Sequence, residues 1–353
     1  MTNKKITTPL RLDHLAIWVS DMEKTISFLT DVVGFKRHPM EVLVSDDDPT
    51  CGGMQAYFVD GNGLWMEMIL PTSPGPGMDM LNEFGDGAIV EVNFEAVNED
   101  YMNIIEDMEA KNVGMLAMDG SPLVDGGRID EGVTGHEDSK ESGQRIAYYP
   151  ADLSCGTTIE IYELLTEDET NLLHIRNKQW EHVERDLSAP RADHVSILVE
   201  DINKAASFYT DIIGLKRLPE VFDIPSENGN GSAKTIFIKA SQTDEVWVQL
   251  VQPTSPGHAM DLLNEKGNGY AMEVGIEVQD IDKVYDDAKA RGITMVNFDG
   301  GPLAASEKAS TSAHGDSYCY YPLGDSRGLR LKMFQRGIDG ASIFQNRDDT
   351  FSG

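Results

Sequence analysis

From Leu12 the chain alternates. In LDHLAIWV the residues Leu15, Ile17 and Val19 share one parity and His14, Ala16 and Trp18 the other, the period of two that a half-buried strand requires. The period then lengthens. SDMEKTISFLTDVVG places its apolar residues at helical spacing, with Ser20 as the predicted N-cap and Gly34 as the stop. Strand patterns follow at 54–60 and 64–70, then a PTSPG turn with a short helix behind it, a strand at 88–94 and a helix at 99–112. A long polar loop at 119–143 leads to strands at 145–149 and 157–163. The order is strand, helix and several strands, run through twice.

The whole series then repeats. LDHLAIWVSDMEKTISFLTDVVGFKRHP at 12–39 returns as ADHVSILVEDINKAASFYTDIIGLKRLP at 192–219, and WMEMILPTSPG at 65–75 as WVQLVQPTSPG at 247–257. DGSPL at 119 becomes DGGPL at 299, and offsets of 180 to 182 residues hold along most of the chain. A near-constant offset of that size marks duplication of a whole domain. The pattern divides the chain into a module at 10–165, a polar linker at 166–190 closed by Pro190, a second module at 191–336 and a tail at 337–353.

Strand parity sorts the first module's side chains by face. One face carries Leu15, Ile17 and Val19, Met66, Met68 and Leu70, Val90, Val92 and Phe94, and Ile159 and Ile161, an apolar surface for the helices to cover. The other carries His14, Glu67, Glu91 and Glu160, one ionisable residue near the middle of each of four strands. On a curved sheet the three carboxylates converge, and each like-charge pair at ~5 Å and an effective dielectric of ~20 costs roughly 3 kcal/mol. Protonation or a bound cation relieves that cost. One imidazole with three carboxylates suits a divalent metal; the oxygen count favours Mn or Fe and leaves Zn, Co and Ni open.

Composition narrows the partners. The 353 residues include 60 Asp plus Glu against 29 Lys plus Arg, a net charge of -31, which repels phosphate backbones and anionic lipid. No apolar run approaches ~18 residues. These features predict a soluble, cytoplasmic protein acting on a small molecule, with no nucleic-acid or membrane partner; a homodimer is compatible with them. Cys51, Cys155 and Cys319 lie far apart without metal-binding spacing and are expected to be buried thiols.

With the unit order, the His near the start of the first strand, and the run from Met66 and Glu67 through PTSPG and LNEFGDG, the sequence resembles the vicinal oxygen chelate superfamily. Its local pattern is most similar to methylmalonyl-CoA epimerase and glyoxalase I. The resemblance implies an α+β fold of two tandem modules, each of paired βαβββ units forming a curved, half-barrel mixed sheet. It also implies one divalent metal held by His14, Glu67, Glu91 and Glu160, with Glu160 and Glu67 as base and ligand. Glu91 departs from the family, which usually has histidine there. The implied reaction is proton abstraction next to a metal-bound carbonyl or hydroxyl, giving isomerisation, epimerisation or elimination. An Fe(II)-dependent ring-cleaving dioxygenase and a non-catalytic binding or resistance protein are the alternatives. Trp18, Trp65, Tyr148, Tyr162 and the loop residue His136 are expected to border the substrate, along with Tyr149 and the methionines at 40, 54 and 115. The second copy has His194, Gln249, Glu273 and Lys332 at the four positions. An ammonium would take the cation's place there and pair with Glu273, so this site is expected to be degenerate and to hold no catalytic metal.

Overall fold

The computed structural model describes residues 10–46, 52–96, 101–117, 119–129, 144–164, 188–226, 230–239, 246–303, 307–337 and 342–352. The first half of the α+β fold contains β1 (Leu10–Trp18), β2 (Lys36–Val44), β3 (Met54–Asp60), β4 (Trp65–Pro71), β5 (Ile89–Ala96), β6 (Arg128–Ile129), β7 (Gln144–Tyr148) and β8 (Ile159–Leu164). Helices α1 (Met22–Ser27, extended by a π-helical turn over Phe28–Val33), α2 (Pro76–Phe84) and α3 (Tyr101–Ala110) lie between them. Pairing places the strands in the order β2, β3, β4, β1, β5, β8, β7, β6, with β1–β4 and β5–β8 parallel and the other pairs antiparallel. The helix after β1 is capped by Asp21, whose side chain accepts from the Lys24 N–H. Ser20, expected in that role, instead gives its backbone N–H to Asp86. Gly34 ends the helix at a φ of 93°, which a side chain would oppose.

The second half repeats the arrangement with β9 (Arg191–Leu198), β10 (Lys216–Arg217), β11 (Phe222–Ile224), β12 (Ala233–Lys239), β13 (Trp247–Pro253), β14 (Ala271–Glu277), β15 (Ser310–Thr311), β16 (Ser317–Tyr320) and β17 (Leu331–Gln335). Its helices are α4 (Ile202–Ser207), α5 (His258–Lys266), α6 (Ile281–Ala290) and, within the stretch expected as a tail, α7 (Ile343–Ser352). The strand order is β11, β12, β13, β9, β14, β17, β16, β15. One pairing, Ala271 with Ile89, joins the halves into a single curved, unclosed mixed sheet. A common core takes Leu15, Ile17, Met66, Met68, Val92 and Phe94 from the first half, and Val195, Ile197, Val248, Leu250, Val274 and Ile276 from the second. Each such side chain, fully buried, contributes about 1.5–3 kcal/mol. Among the described residues no helix is long and apolar enough to cross a membrane.

Two β-bulges, present in both halves, adjust the strict alternation. In β5 the register jumps between Ala16 opposite Glu91 and Ile17 opposite Ile89, so Val90 is the extra residue. Ile89 therefore enters the common core, and Val90 packs on the opposite face with Ala16, Trp18 and Phe58. Simple parity had assigned these two residues the other way round. A second jump between Leu12 and His14 leaves Asp13 as the extra residue. The second half bulges at Met272 and at Asp193 in the same way. Bulges of this kind re-aim side chains beside functional sites. The pattern also concealed β2, whose pairing with β3 shifts between Arg37 and Glu41, around Pro39.

Candidate functional site

The register assembles the first site around two residues. Glu67 on β4 and Glu91 on β5 both stand opposite Ala16, while His14 on β1 and Glu160 on β8 both stand opposite Asn93. His14 and Glu160 are buried. The bulge at Asp13 lets two consecutive side chains meet, and Asp13 Oδ2 lies 2.8 Å from His14 Nδ1. The other ring nitrogen, Nε2, is 3.5 Å from Glu67 Oε2. The Tyr148 hydroxyl donates to Glu160 at 2.5 Å. The rings of Phe58 and Tyr162 stand 5.9 and 5.8 Å from that of His14.

This crowding moves the protons. Burial pushes the Glu91 carboxyl up to about 8, and the charges of Glu160 and Glu67 add to it while His14 opposes. Burial likewise raises Glu160, to about 7, against the pull of His14 and the Tyr148 hydrogen bond. For His14 burial acts downward, but the hydrogen bonds to Asp13 and Glu67 outweigh it and hold the ring at about 10. Burial thus favours the neutral form of Glu91 and Glu160, and the neighbouring carboxylates favour the charged form of His14. Three carboxylates and an imidazole are a donor set that fits a divalent cation, which would displace those protons. Among the described residues, no three His, Cys, Asp or Glu side chains are already drawn together at metal-holding spacing.

The walls are aromatic and apolar. Trp18 is buried with Ala16, Val42, Ala56, Phe58 and Ile69, and Trp65 packs partly buried against the same cluster. Tyr148 and Tyr162 are buried beside Glu160 and His14 as described. Met54 joins this cluster, but Met115 belongs to the common core, and Tyr149 turns away to meet Phe208 across the join between halves at 5.4 Å. His136 and Cys51 lie outside the described residues; Cys155 and Cys319 are buried free thiols. The sequence pattern overlooked three residues here. Asp13 was signalled by the Asp-His pair repeated at 193–194. His38 on β2 is fully buried with its ring 5.9 Å from that of Trp65, and its strand was itself hidden by Pro39. Asn93 is fully buried with neither carboxamide atom hydrogen-bonded.

The second site is built differently on the same frame. His194 is fully buried, with Nδ1 2.8 Å from Asp193 and Nε2 without a partner. Its ring stacks on Phe344 of α7 at 5.2 Å and 20°. Burial outweighs Asp193 and lowers its pKa, the opposite direction to that of His14. Glu273 accepts from Tyr320 at 3.0 Å and from Ser196 at 3.1 Å, and Ser196 also lies 2.9 Å from Gln249 Oε1. Lys332, opposite Gly275 as Glu160 is opposite Asn93, has its ammonium 4.0 Å from Glu273. Helix α7 covers the site through Phe344 and through Arg347, which binds Asp193 with two hydrogen bonds of 2.7 and 2.8 Å.

Fold and site together define a duplicated βαβββ protein with a carboxylate-rich centre in its first half and a lysine at the matching place in its second. The chain belongs to the Glyoxalase/Bleomycin resistance protein/Dioxygenase superfamily, whose family model matches residues 11–109 and 191–302. It is 27% identical over 146 residues to the mitochondrial methylmalonyl-CoA epimerase of Mus musculus, covering 41% of this chain and 72% of that protein. Its fold resembles that of a triple mutant of 4-hydroxymandelate synthase from Streptomyces coelicolor, with a TM-score of 0.58, 15% identity and 96% coverage of both chains. The 2,3-dioxygenase LapB from Pseudomonas sp. KL28 superposes with a TM-score of 0.48 at 15% identity over 94% of each chain.

Proposed function

We propose that this chain is a metal-dependent isomerase, epimerase or lyase that moves a proton next to a carbonyl or hydroxyl of a small organic substrate, at the first site. The observation that carries this reading is the convergence of Glu67 and Glu91 across Ala16, and of His14 and Glu160 across Asn93, on one apolar-walled face. His14, Glu67, Glu91 and Glu160 would hold the divalent ion, with Mn or Fe favoured over Zn, Co and Ni by the number of oxygen donors. When bound, the ion supplies Lewis acidity for the charge that develops on the substrate oxygen.

Glu160 takes and returns the proton. Its Oε2 is held by the Tyr148 hydroxyl, which fixes the carboxylate's orientation on β8. Asp13 restrains His14 through Nδ1, which orients the imidazole and leaves Nε2, 3.5 Å from Glu67, as the nitrogen that would face the ion. Trp18, Trp65 and Tyr162 exclude water from the reacting carbon and favour a compact apolar substituent. The likeness to an epimerase supports the proton-transfer class.

The test begins with the metal content of the purified protein and its removal by chelator. The metal-loaded chain is then incubated in D2O with a panel of acyl thioesters and α-hydroxy ketones, and exchange of the C–H next to the carbonyl is followed by NMR. Glu160→Gln is expected to slow exchange about 10²–10⁴-fold with the metal retained. Full exchange by the metal-loaded Glu160→Gln protein would rule out this role for Glu160. Dioxygen uptake by the Fe(II) form without any exchange would favour the ring-cleaving alternative.

A further inference from the structure

The second half holds a half-open cavity of about 130 Å³ between β12, β13, β14, the β15–β16 hairpin and the first residues of α7. An engineered cavity of ~150 Å³ admits benzene, so the space here suits one ring or a short branched chain. Its walls are mostly apolar, with Ala233, Val251, Met272, Phe298 and Phe344 among them. The charged residues on the lining are Glu273, Asp316 and Lys332, with His314 at the hairpin.

Three of these four are already engaged. Glu273 accepts from the Tyr320 hydroxyl with one oxygen, and its other lies 3.1 Å from the Ser196 hydroxyl, whose one proton is shared with Gln249. Asp316 accepts the Gly337 N–H at 3.0 Å with one oxygen, and its other is fully buried with no partner and no surface toward the cavity. His314 Nε2 lies 3.1 Å from the Asp223 carbonyl oxygen. Lys332 differs. Its ammonium stands 4.0 Å from Glu273, beyond hydrogen-bonding reach, and 5.5 and 5.6 Å over the Tyr318 and Phe344 rings. Among the described residues none of its three N–H groups has a hydrogen-bonding acceptor. A partly buried ammonium with no protein acceptor in hydrogen-bonding reach among the described residues, beside an apolar space, matches an anion with a compact apolar body.

We propose that this cavity is a binding site for a small apolar monocarboxylate, whose carboxylate takes the free donors of Lys332 and whose body lies among Val251, Met272 and Phe298. Lys332 stands at the strand position that Glu160 fills in the first half, so a built-in cation holds the ligand where the first half presents a carboxylate. The inference does not depend on the reaction proposed for the first site. It assigns the second half a ligand of its own.

Calorimetric and ligand-observed NMR titration of the full chain tests it, with benzoate, phenylacetate and 4-methylvalerate as probes and benzamide and benzylamine as neutral and cationic controls. At least one carboxylate should bind saturably, about ten-fold or more tighter than either control. Lys332→Met should weaken that carboxylate by about ten-fold while leaving benzamide unchanged, and Glu160→Gln should leave it unaffected. Val251→Phe, which fills the apolar end, should abolish binding; persistence would place the ligand elsewhere and overturn the proposal. The proposal also fails if no carboxylate saturates at millimolar concentration, or if either control binds as tightly. It fails equally if a folded Lys332→Met protein binds the carboxylate as before. Should that variant lose its circular dichroism signal, the controls and Val251→Phe decide alone.

Discussion

Asn93 and Gly275 hold the same place in the two halves, each opposite the histidine and the β8 or β17 residue of its own site. A Cβ at Gly275 would fall 2.0 Å from the His194 ring, so only glycine lets that imidazole lie flat over the strand against Phe344. Asn93 does the opposite and puts a carboxamide into the site, fully buried and without a hydrogen bond. Such a group costs about 1–3 kcal/mol and is retained where something is meant to meet it. Asn93→Ala should therefore leave the metal-free protein at least as stable in thermal melts, while weakening metal or substrate binding about 10–100-fold in titrations. A large loss of metal-free stability with unchanged binding would make Asn93 a packing residue. Its role was not legible in the sequence, because an asparagine in VEVNFEA reads as an ordinary strand polar residue until its burial without a hydrogen-bond partner among the described residues is seen.

At the scale of elements, the four strands with His14 and the three carboxylates were legible because period two survives in β1 beyond the Asp13 bulge, in β4 and in β8, where one face is continuous core. The bulges were not, since an inserted residue leaves no mark on composition and shows only as a slipped register. Helix α7 was also hidden. Its sequence, IFQNRDDTFS, carries little apolar periodicity, and its place is fixed by long-range contacts that include Phe344 on His194 and Arg347 on Asp193. Burial would raise Asp193, but Arg347 more than reverses it and holds the carboxyl well below its usual range. The folded value is depressed, so this pair's stabilisation is complete above the unfolded value of about 3.9 and is lost only as pH falls below it. Arg347→Met would leave Asp193 only Arg191 at 3.0 Å, Arg336 at 3.7 Å and His194, and should lower stability by about 1–3 kcal/mol in denaturant titrations at neutral pH. Adding Asp193→Asn should recover part of that loss; strict additivity of the two changes would show that the pair is not coupled.

Across the whole molecule, the two halves are one packing unit. They share the core, and their backbones touch directly: a Cβ at Gly87 would lie 2.1 Å from the Leu329 nitrogen, and one at Gly156 2.0 Å from the Asn268 carbonyl oxygen. Thr157 donates to the Gly269 carbonyl across the same join at 3.0 Å, and Lys111 reaches the Asp211 carbonyl at 3.0 Å. Two domains merely strung together would leave these surfaces wet and their stabilities separate. Here a ligand that binds one half must stabilise both. If a divalent ion binds the first site, saturation at about 100 times its dissociation constant adds about 2.7 kcal/mol to unfolding. Calorimetry should show that gain as an upward shift of a single transition, not of one among two. The shift should vanish in Glu67→Gln/Glu91→Gln and persist in Lys332→Met, which leaves the first site intact. Two transitions, with the metal moving only the first-half one, would show that the shared core does not couple the modules.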